Sequence, residues 1–173
     1  MIKKIVVSLS LLFSLTSLAQ EGTSSPYSFY GIGDIKFKGS VDSRSMGGLT
    51  VFPDSIHLNL QNPAHLASLK LTSFAVGGTY ANTKFQSETA DGKARRTTLD
   101  YLAVGIPVGK LGIGFGLIPY SSIGYKIQTL TEEDNPTFSR YSGVGGVNKV
   151  FAGAGYKITN HLNIGASIQY NFG

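Results

Sequence analysis

The sequence predicts an all-β protein: an antiparallel transmembrane β-barrel, of which about five strands are legible, preceded by an irregular N-terminal hatch or plug segment. Three observations predict it, namely an export signal, apolar residues that recur with period two after residue 70, and connections that alternate between short and long. The 173 residues include 22 glycines and no cysteine, and 14% are charged. Soluble domains carry about 25% charged residues, so a highly charged solution domain is disfavoured. A chain without cysteine also has no disulfide scaffold or thiol chemistry.

The first 19 residues have the form of a secretory signal peptide. Lys3 and Lys4 precede an apolar run from Ile5 to Leu18, and small residues up to Ala19 fit cleavage before Gln20. The run is too short for a spanning helix, which needs about 20 apolar residues. Removing the two lysines lowers the formal net charge from +5 to +3. No nucleic-acid partner is therefore expected.

Residues 71–173 carry the strand pattern. In Leu162–Phe172 the even-numbered residues are apolar and the odd-numbered ones are polar or glycine, which predicts a strand with two unlike faces. Leu111–Leu117 repeats this pattern with glycine on the second face. A soluble β-sandwich is disfavoured, because sandwich strands usually have about five or six residues. The other predicted strands are Thr72–Phe85, Thr98–Val108 and Asn148–Ile158.

The connections between these strands alternate in length. Tight turns around Gly109 and Asn160 alternate with the longer polar stretches 86–97 and 128–142, which are predicted to be loops. In an antiparallel sheet this alternation places the tight turns at one end and the loops at the other. The pattern is typical of an outer-membrane β-barrel and predicts a location in the outer membrane of a Gram-negative bacterium. The expected surroundings are outer-membrane lipid and lipopolysaccharide.

Residues 20–70 lack the strand pattern. They are rich in glycine and proline, which favours irregular structure. They also contain many large apolar residues, such as Tyr27, Phe29 and Phe52, which a disordered leader would lack. The segment is therefore predicted to be an ordered plug packed inside the barrel.

Two motifs of this segment resemble a known family. Ser45-Met46-Gly47-Gly48 followed by Asn62-Pro63-Ala64-His65-Leu66-Ala67, ahead of the first strand, resembles FadL- and TodX-type outer-membrane transporters of hydrophobic compounds. The opening Ser25–Asp34 is similar to Bacteroidetes-type members. The resemblance implies a larger barrel closed by an N-terminal hatch that includes Asn62, Pro63 and Ala64. A closed single-chain barrel needs about eight strands, so the chain is expected to be the N-terminal portion of a longer protein.

The resemblance also implies a lateral opening beside a kinked third strand. That strand is expected to run from Leu111 to Lys126, and it contains Pro119, which donates no ladder hydrogen bond. We therefore take Pro119 as the candidate position of the opening.

Other chemistry is weakly supported by the sequence. The glycine runs are not followed by the Gly-Lys-Ser/Thr of a phosphate loop, and His57, His65 and His161 lie at no metal-ligand spacing. No triad order or close carboxylate pair stands out. The sequence thus predicts no enzyme, no cofactor and no metal.

The functional prediction from the sequence is outer-membrane transport of hydrophobic compounds, such as long-chain fatty acids, through a plugged barrel. A hydrophobic small molecule would be the substrate. The alternative is a barrel that transports nothing and acts as a docking component for protein secretion, with a secreted protein as partner.

Overall fold

A computed structural model describes residues 23, 25–86, 91–131 and 137–173. The predicted signal peptide at residues 1–19 lies outside the described residues. Most of the described chain is antiparallel β-sheet, so the predicted antiparallel β fold is confirmed at that level. No helix in the described ranges combines the length and the apolar character needed to cross a membrane.

The strands of the described residues belong to two sheets. The strands are β1 (Asp34–Ile35), β2 (Ser73–Gln86), β3 (Asp91–Val108), β4 (Leu111–Pro119), β5 (Ser121–Thr131), β6 (Thr137–Gly145), β7 (Asn148–Lys157) and β8 (Asn163–Phe172). One sheet has five strands in the order β2-β3-β4-β7-β8, and the other has three in the order β1-β5-β6.

The five-stranded sheet contains all five strands that the period-two pattern predicts. These five strands pair with one another in the order in which they follow along the chain. The β5–β6 hairpin interrupts the chain between β4 and β7. The register places glycine opposite glycine and apolar residues opposite apolar ones, so that Gly112 lies opposite Gly155 and Ile113 lies opposite Ala154. One face of this sheet therefore carries the small residues and the other carries the large apolar ones.

The predicted third strand from Leu111 to Lys126 is wrong in its length. It divides at Tyr120 into β4 and β5, which belong to different sheets. The backbone N–H groups of Tyr120 and Ser121 both donate to the carbonyl oxygen of Val147, at 2.7 and 3.1 Å. Two successive donors to one acceptor cannot continue a regular ladder, so the chain turns away at this point.

The two predicted loops are also largely strand. Residues 91–97 extend β3 and pair with the end of β2, where Gln86 lies opposite Asp91. Residues 128–131 and 137–142 belong to the β5–β6 hairpin, in which Gln128 lies opposite Arg140. Ladder hydrogen bonds come from the backbone, so charged side chains do not prevent pairing where both faces meet solvent.

Residues 25–70, which we call the covering segment, contain short helices and the two-residue strand β1. A 3₁₀ helix at Pro26–Phe29 and a short α-helix, α1 (Val41–Ser45), precede a second 3₁₀ helix at Pro63–Ser68. This second helix contacts β4, β7 and β8. The covering segment therefore lies against one face of the five-stranded sheet.

Candidate functional site: a segment seated on a glycine face

The small-residue face of the five-stranded sheet receives the covering segment. We call it the glycine face and define it by the buried residues Gly105, Gly112, Gly114, Gly153 and Gly155. A Cβ atom added at Gly155 would lie 2.6 Å from the carbonyl oxygen of Pro63, and one at Gly112 would collide with the backbone carbonyl of Leu66. Glycine is thus required here by the close approach of two backbones.

The hydrophobic core lies between the covering segment and the sheet. Leu58, Leu66 and Leu69 of the segment cluster with Ala103 of β3, and all four are buried. Leu60, Ala75 and Phe151 are partly buried against this cluster. Both the covering segment and the sheet therefore contribute side chains to the core, so each stabilises the other.

The predicted motif Asn62-Pro63-Ala64 begins the second 3₁₀ helix. The side-chain oxygen of Asn62 accepts a hydrogen bond from the backbone N–H of Ala64 at 3.1 Å, as an N-cap residue does. Pro63 occupies the first turn, where its missing N–H leaves no bond unmade. The three residues thus form a helix start that is placed on the glycine face.

His65 is held at the centre of this helix. Its Nδ1 atom accepts a hydrogen bond from the side-chain amide of Asn59 at 2.9 Å, and that amide also donates to the carbonyl oxygen of Thr50 at 3.2 Å. His65 is 8% exposed, and burial lowers its pKa, opposed by a hydrogen bond with the backbone of Val51. The neutral imidazole is therefore the form that fits this site.

The pKa of His57 is shifted in the opposite direction to that of His65. Its Nδ1 atom lies 2.7 Å from the carboxylate of Asp54, and this hydrogen bond raises the pKa of His57. The pKa of Asp54 is lowered to about 2, chiefly by a hydrogen bond from the backbone of Ile56 and then by His57. Both side chains are well exposed, so solvent weakens the contribution of this pair to stability.

Acidification is expected to loosen the covering segment through His65. A histidine whose pKa is lower in the folded state than in the unfolded state makes its full contribution to the stability of the fold above its unfolded pKa of about 6.5. This contribution is lost as the pH falls below that value. Hydrogen-exchange protection of residues 58–69 should therefore be lower at pH 5 than at pH 7.5. His65→Gln should abolish this difference and His161→Gln should keep it. Equal protection of these amides at both pH values in the unmodified protein would contradict the prediction.

A polar network ties the start of the covering segment to β2 and β3. Asp100 of β3 is 6% exposed, lies 3.7 Å from the guanidinium of Arg44, and accepts hydrogen bonds from the hydroxyls of Thr79 and Thr98. The backbone N–H of Val41 donates to the Tyr101 hydroxyl at 3.2 Å.

A second ionic contact extends this network. The guanidinium of Arg96 donates to the Thr23 hydroxyl at 2.9 Å and lies 3.6 Å from the carboxylate of Asp34. Sequence reasoning missed Asp100, although an acidic residue in an otherwise apolar strand was a signal that it has partners.

Pro119 is separated from the Asn62 motif. It is the last residue of β4 and lies opposite Asn148, whereas Gly112 at the other end of β4 contacts the Pro63–Ser68 helix. The two parts of the predicted site therefore lie at opposite ends of one strand. The role of Pro119 as an opening stays a prediction.

Little space remains where Leu58 and Leu66 of the covering segment meet the middle of the sheet. The cavity beside Leu58, Leu66, Ile118, Lys149 and Phe151 measures about 20 Å³. That volume accommodates about one water molecule. In the described part of the chain, no three His, Asp or Glu side chains gather as a metal site would require.

The fold and the site define an antiparallel β-sheet protein with a covering segment fitted to its glycine face. The chain belongs to the BamG family, whose model matches residues 1–173. No curated protein matches the chain, and no solved structure matches it. The family is associated with the Bam complex at the outer membrane, so the predicted outer-membrane association is confirmed at that level.

The family match corrects the resemblance to FadL- and TodX-type transporters, which is wrong. It also overturns transport of hydrophobic compounds and the small-molecule substrate, and it indicates a protein partner where lipid and lipopolysaccharide were expected. The alternative, a barrel that transports nothing and docks protein partners, is closer to this family than transport is, although the family points to the Bam complex and not to secretion. The physical reason is that Asn62, Pro63 and Ala64 supply generic helix-start chemistry, and Gly47 and Gly48 supply turn residues with positive φ. Such motifs report how a segment packs and do not identify one family.

Proposed function

We propose that this chain is a non-enzymatic component of the β-barrel assembly machinery at the outer membrane. The observation that carries the proposal is the match to the BamG family, which extends over residues 1–173. The name of the family refers to the Bam complex, so the partners expected for the chain are protein subunits of that machinery. The proposal assigns the chain no catalytic step.

The large-residue face of the five-stranded sheet supports a position in the membrane. Its side chains include Phe74, Val76, Phe115, Ile168 and Tyr170, and Ile168 is 83% exposed. Soluble monomers rarely expose contiguous apolar patches of this kind. We propose that this face meets lipid and that the sheet is part of a transmembrane β-barrel.

The strands of the main sheet are long enough for this proposal, and β2 and β3, with 14 and 18 residues, extend beyond the length that it requires. β4 has 9 residues, and β7 and β8 have 10 each. A tilted transmembrane strand needs about 9–11 residues. In the proposed arrangement the covering segment fills the side away from lipid, and residues 1–19 act as the signal peptide that directs export.

Co-purification from the native outer membrane tests the proposed function. A C-terminally tagged full-length protein, extracted in mild detergent, should retain subunits of the β-barrel assembly machinery in stoichiometric amounts by quantitative mass spectrometry. The N-terminal peptide of the recovered protein should begin at Gln20. An equally tagged outer-membrane protein of unrelated family provides the control, and recovery of the assembly subunits no greater than in that control would refute the proposal.

A further inference from the structure

A cleft opens at the end of the five-stranded sheet where its tight turns lie. Its volume is about 610 Å³, which is within the range of about 300–1,000 Å³ typical of ligand sites. The covering segment forms one wall with Asn62, His65 and Lys70. The end of β7 and the turn after it form the other wall with Lys157 and His161. We call this the basic cleft.

The charge of the basic cleft is positive. Lys70 and Lys157 line it, and no acidic residue is among its lining residues. The ion pairs formed among the described residues involve neither lysine. Two ammonium groups in a concave site that form no ion pair with the described residues attract an anionic partner.

The position of Lys157 favours a protein segment over a lipid headgroup as the partner of the basic cleft. Lys157 has the same parity on β7 as Gly153 and Gly155, so it lies on the glycine face and away from the large apolar side chains. Lipid headgroups would border the apolar face instead, because that face is the one suited to contact acyl chains. A protein segment entering from the turn end reaches the basic cleft directly.

We propose that the basic cleft docks an acidic segment of another subunit of the assembly machinery. This inference rests on the proposed function and adds to it the place and the chemistry of the contact. The carboxylates of the segment pair with Lys70 and Lys157, and the exposed side chains of Asn160 and His161 offer further polar contacts.

A hexaglutamate peptide with a fluorescent label probes the chemistry of the cleft directly. We expect it to bind the full-length protein in detergent, and Lys70→Glu combined with Lys157→Glu should weaken binding about tenfold or more at low salt. Lys70→Arg with Lys157→Arg should retain the affinity. Lys84→Glu, an exposed change near the far end of β2, is the matched control and should also retain it. We call the combination of Lys70→Glu and Lys157→Glu the doubly reversed variant. Unchanged affinity of this variant for the peptide, with its thermal unfolding also unchanged, would overturn the inference.

Co-purification of the same variants separates failure of the cleft from failure of the function. Loss of assembly subunits from the doubly reversed variant, with recovery intact in the arginine variant, supports docking in the cleft. Equal recovery from the reversed and unmodified proteins overturns the docking inference and leaves the proposed function standing. No recovery from the unmodified protein overturns the proposed function, while hexaglutamate binding still tests the cleft.

Two further measurements complete the test. Glu→Lys changes in the acidic segment, located by cross-linking from Asn160, should restore subunit recovery by the doubly reversed variant. Vesicles that contain phosphatidylglycerol test the lipid alternative. If the double reversal abolishes vesicle binding and leaves subunit recovery unchanged, the cleft is a headgroup site and the docking inference is wrong.

Discussion

Gly112→Val is expected to displace the Pro63–Ser68 helix from the sheet. The new Cβ would collide with the carbonyl group of Leu66 and with the backbone nitrogen of Ala67. Backbone atoms cannot rotate aside as the end of a flexible side chain can. Overpacking of this kind typically costs about 1–3 kcal/mol, and loss of the buried Leu66 contacts adds to it. We expect the free energy of unfolding to fall by about 3 kcal/mol or more, and residues 58–69 to become accessible to protease.

Gly145→Val is the matched control for this change. A Cβ at Gly145 meets nothing within 4 Å, and this glycine also lies in a strand. The control should unfold within about 0.5 kcal/mol of the unmodified protein. If Gly112→Val and Gly145→Val were equally stable and equally resistant to protease, the close seating of the covering segment on the glycine face would be wrong.

Asp100→Ala is expected to detach the start of the covering segment from β3. The change removes the ionic partner of Arg44 and the acceptor of the Thr79 and Thr98 hydroxyls at a buried position. Removing one member of a buried charged network costs about 3–5 kcal/mol. Because the Arg44 side chain is 43% exposed, water compensates part of this cost. We expect a loss of about 2 kcal/mol in the free energy of unfolding.

A second variant and a control identify the source of that loss. Arg44→Ala removes the exposed partner and should cost about 1 kcal/mol or less, because Asp100 keeps both hydroxyl donors. Asp91→Ala changes an exposed acid at the start of the same strand and should have little effect on stability. A loss in Asp100→Ala no larger than in Asp91→Ala would show that the network does not hold the segment.

The predicted strands were recovered where the period-two signal came from burial of one face. Leu162–Phe172 and Leu111–Leu117 alternate because one face of the sheet receives the covering segment and the other carries large apolar residues. Strand β6 lacks this signal, since its side chains Phe138 and Tyr141 are exposed together with the polar neighbour Arg140. A strand without two unlike faces cannot be distinguished from a polar loop by periodicity alone.

The candidate site was predicted only in part for a related reason. Asn62, Pro63 and Ala64 were singled out through the resemblance to a transporter family, and their role as the start of a 3₁₀ helix was not predicted, although it depends only on neighbouring residues. The family was misassigned from the same motifs, because local chemistry recurs in unrelated proteins. Arg44 and Asp100 lie 56 positions apart, and nothing in either neighbourhood indicates the pairing.

The sequence by itself determined the antiparallel β class and the five strands of the main sheet, since each follows from local periodicity. Only the tertiary structure decided which glycines are essential, where the chain passes from one sheet to the other at Tyr120, and that Lys70 and Lys157 line one cleft. These features depend on contacts between residues distant in sequence. The physical reason is that side-chain alternation fixes the faces of a strand, while the partner of each face is chosen by packing across the whole chain.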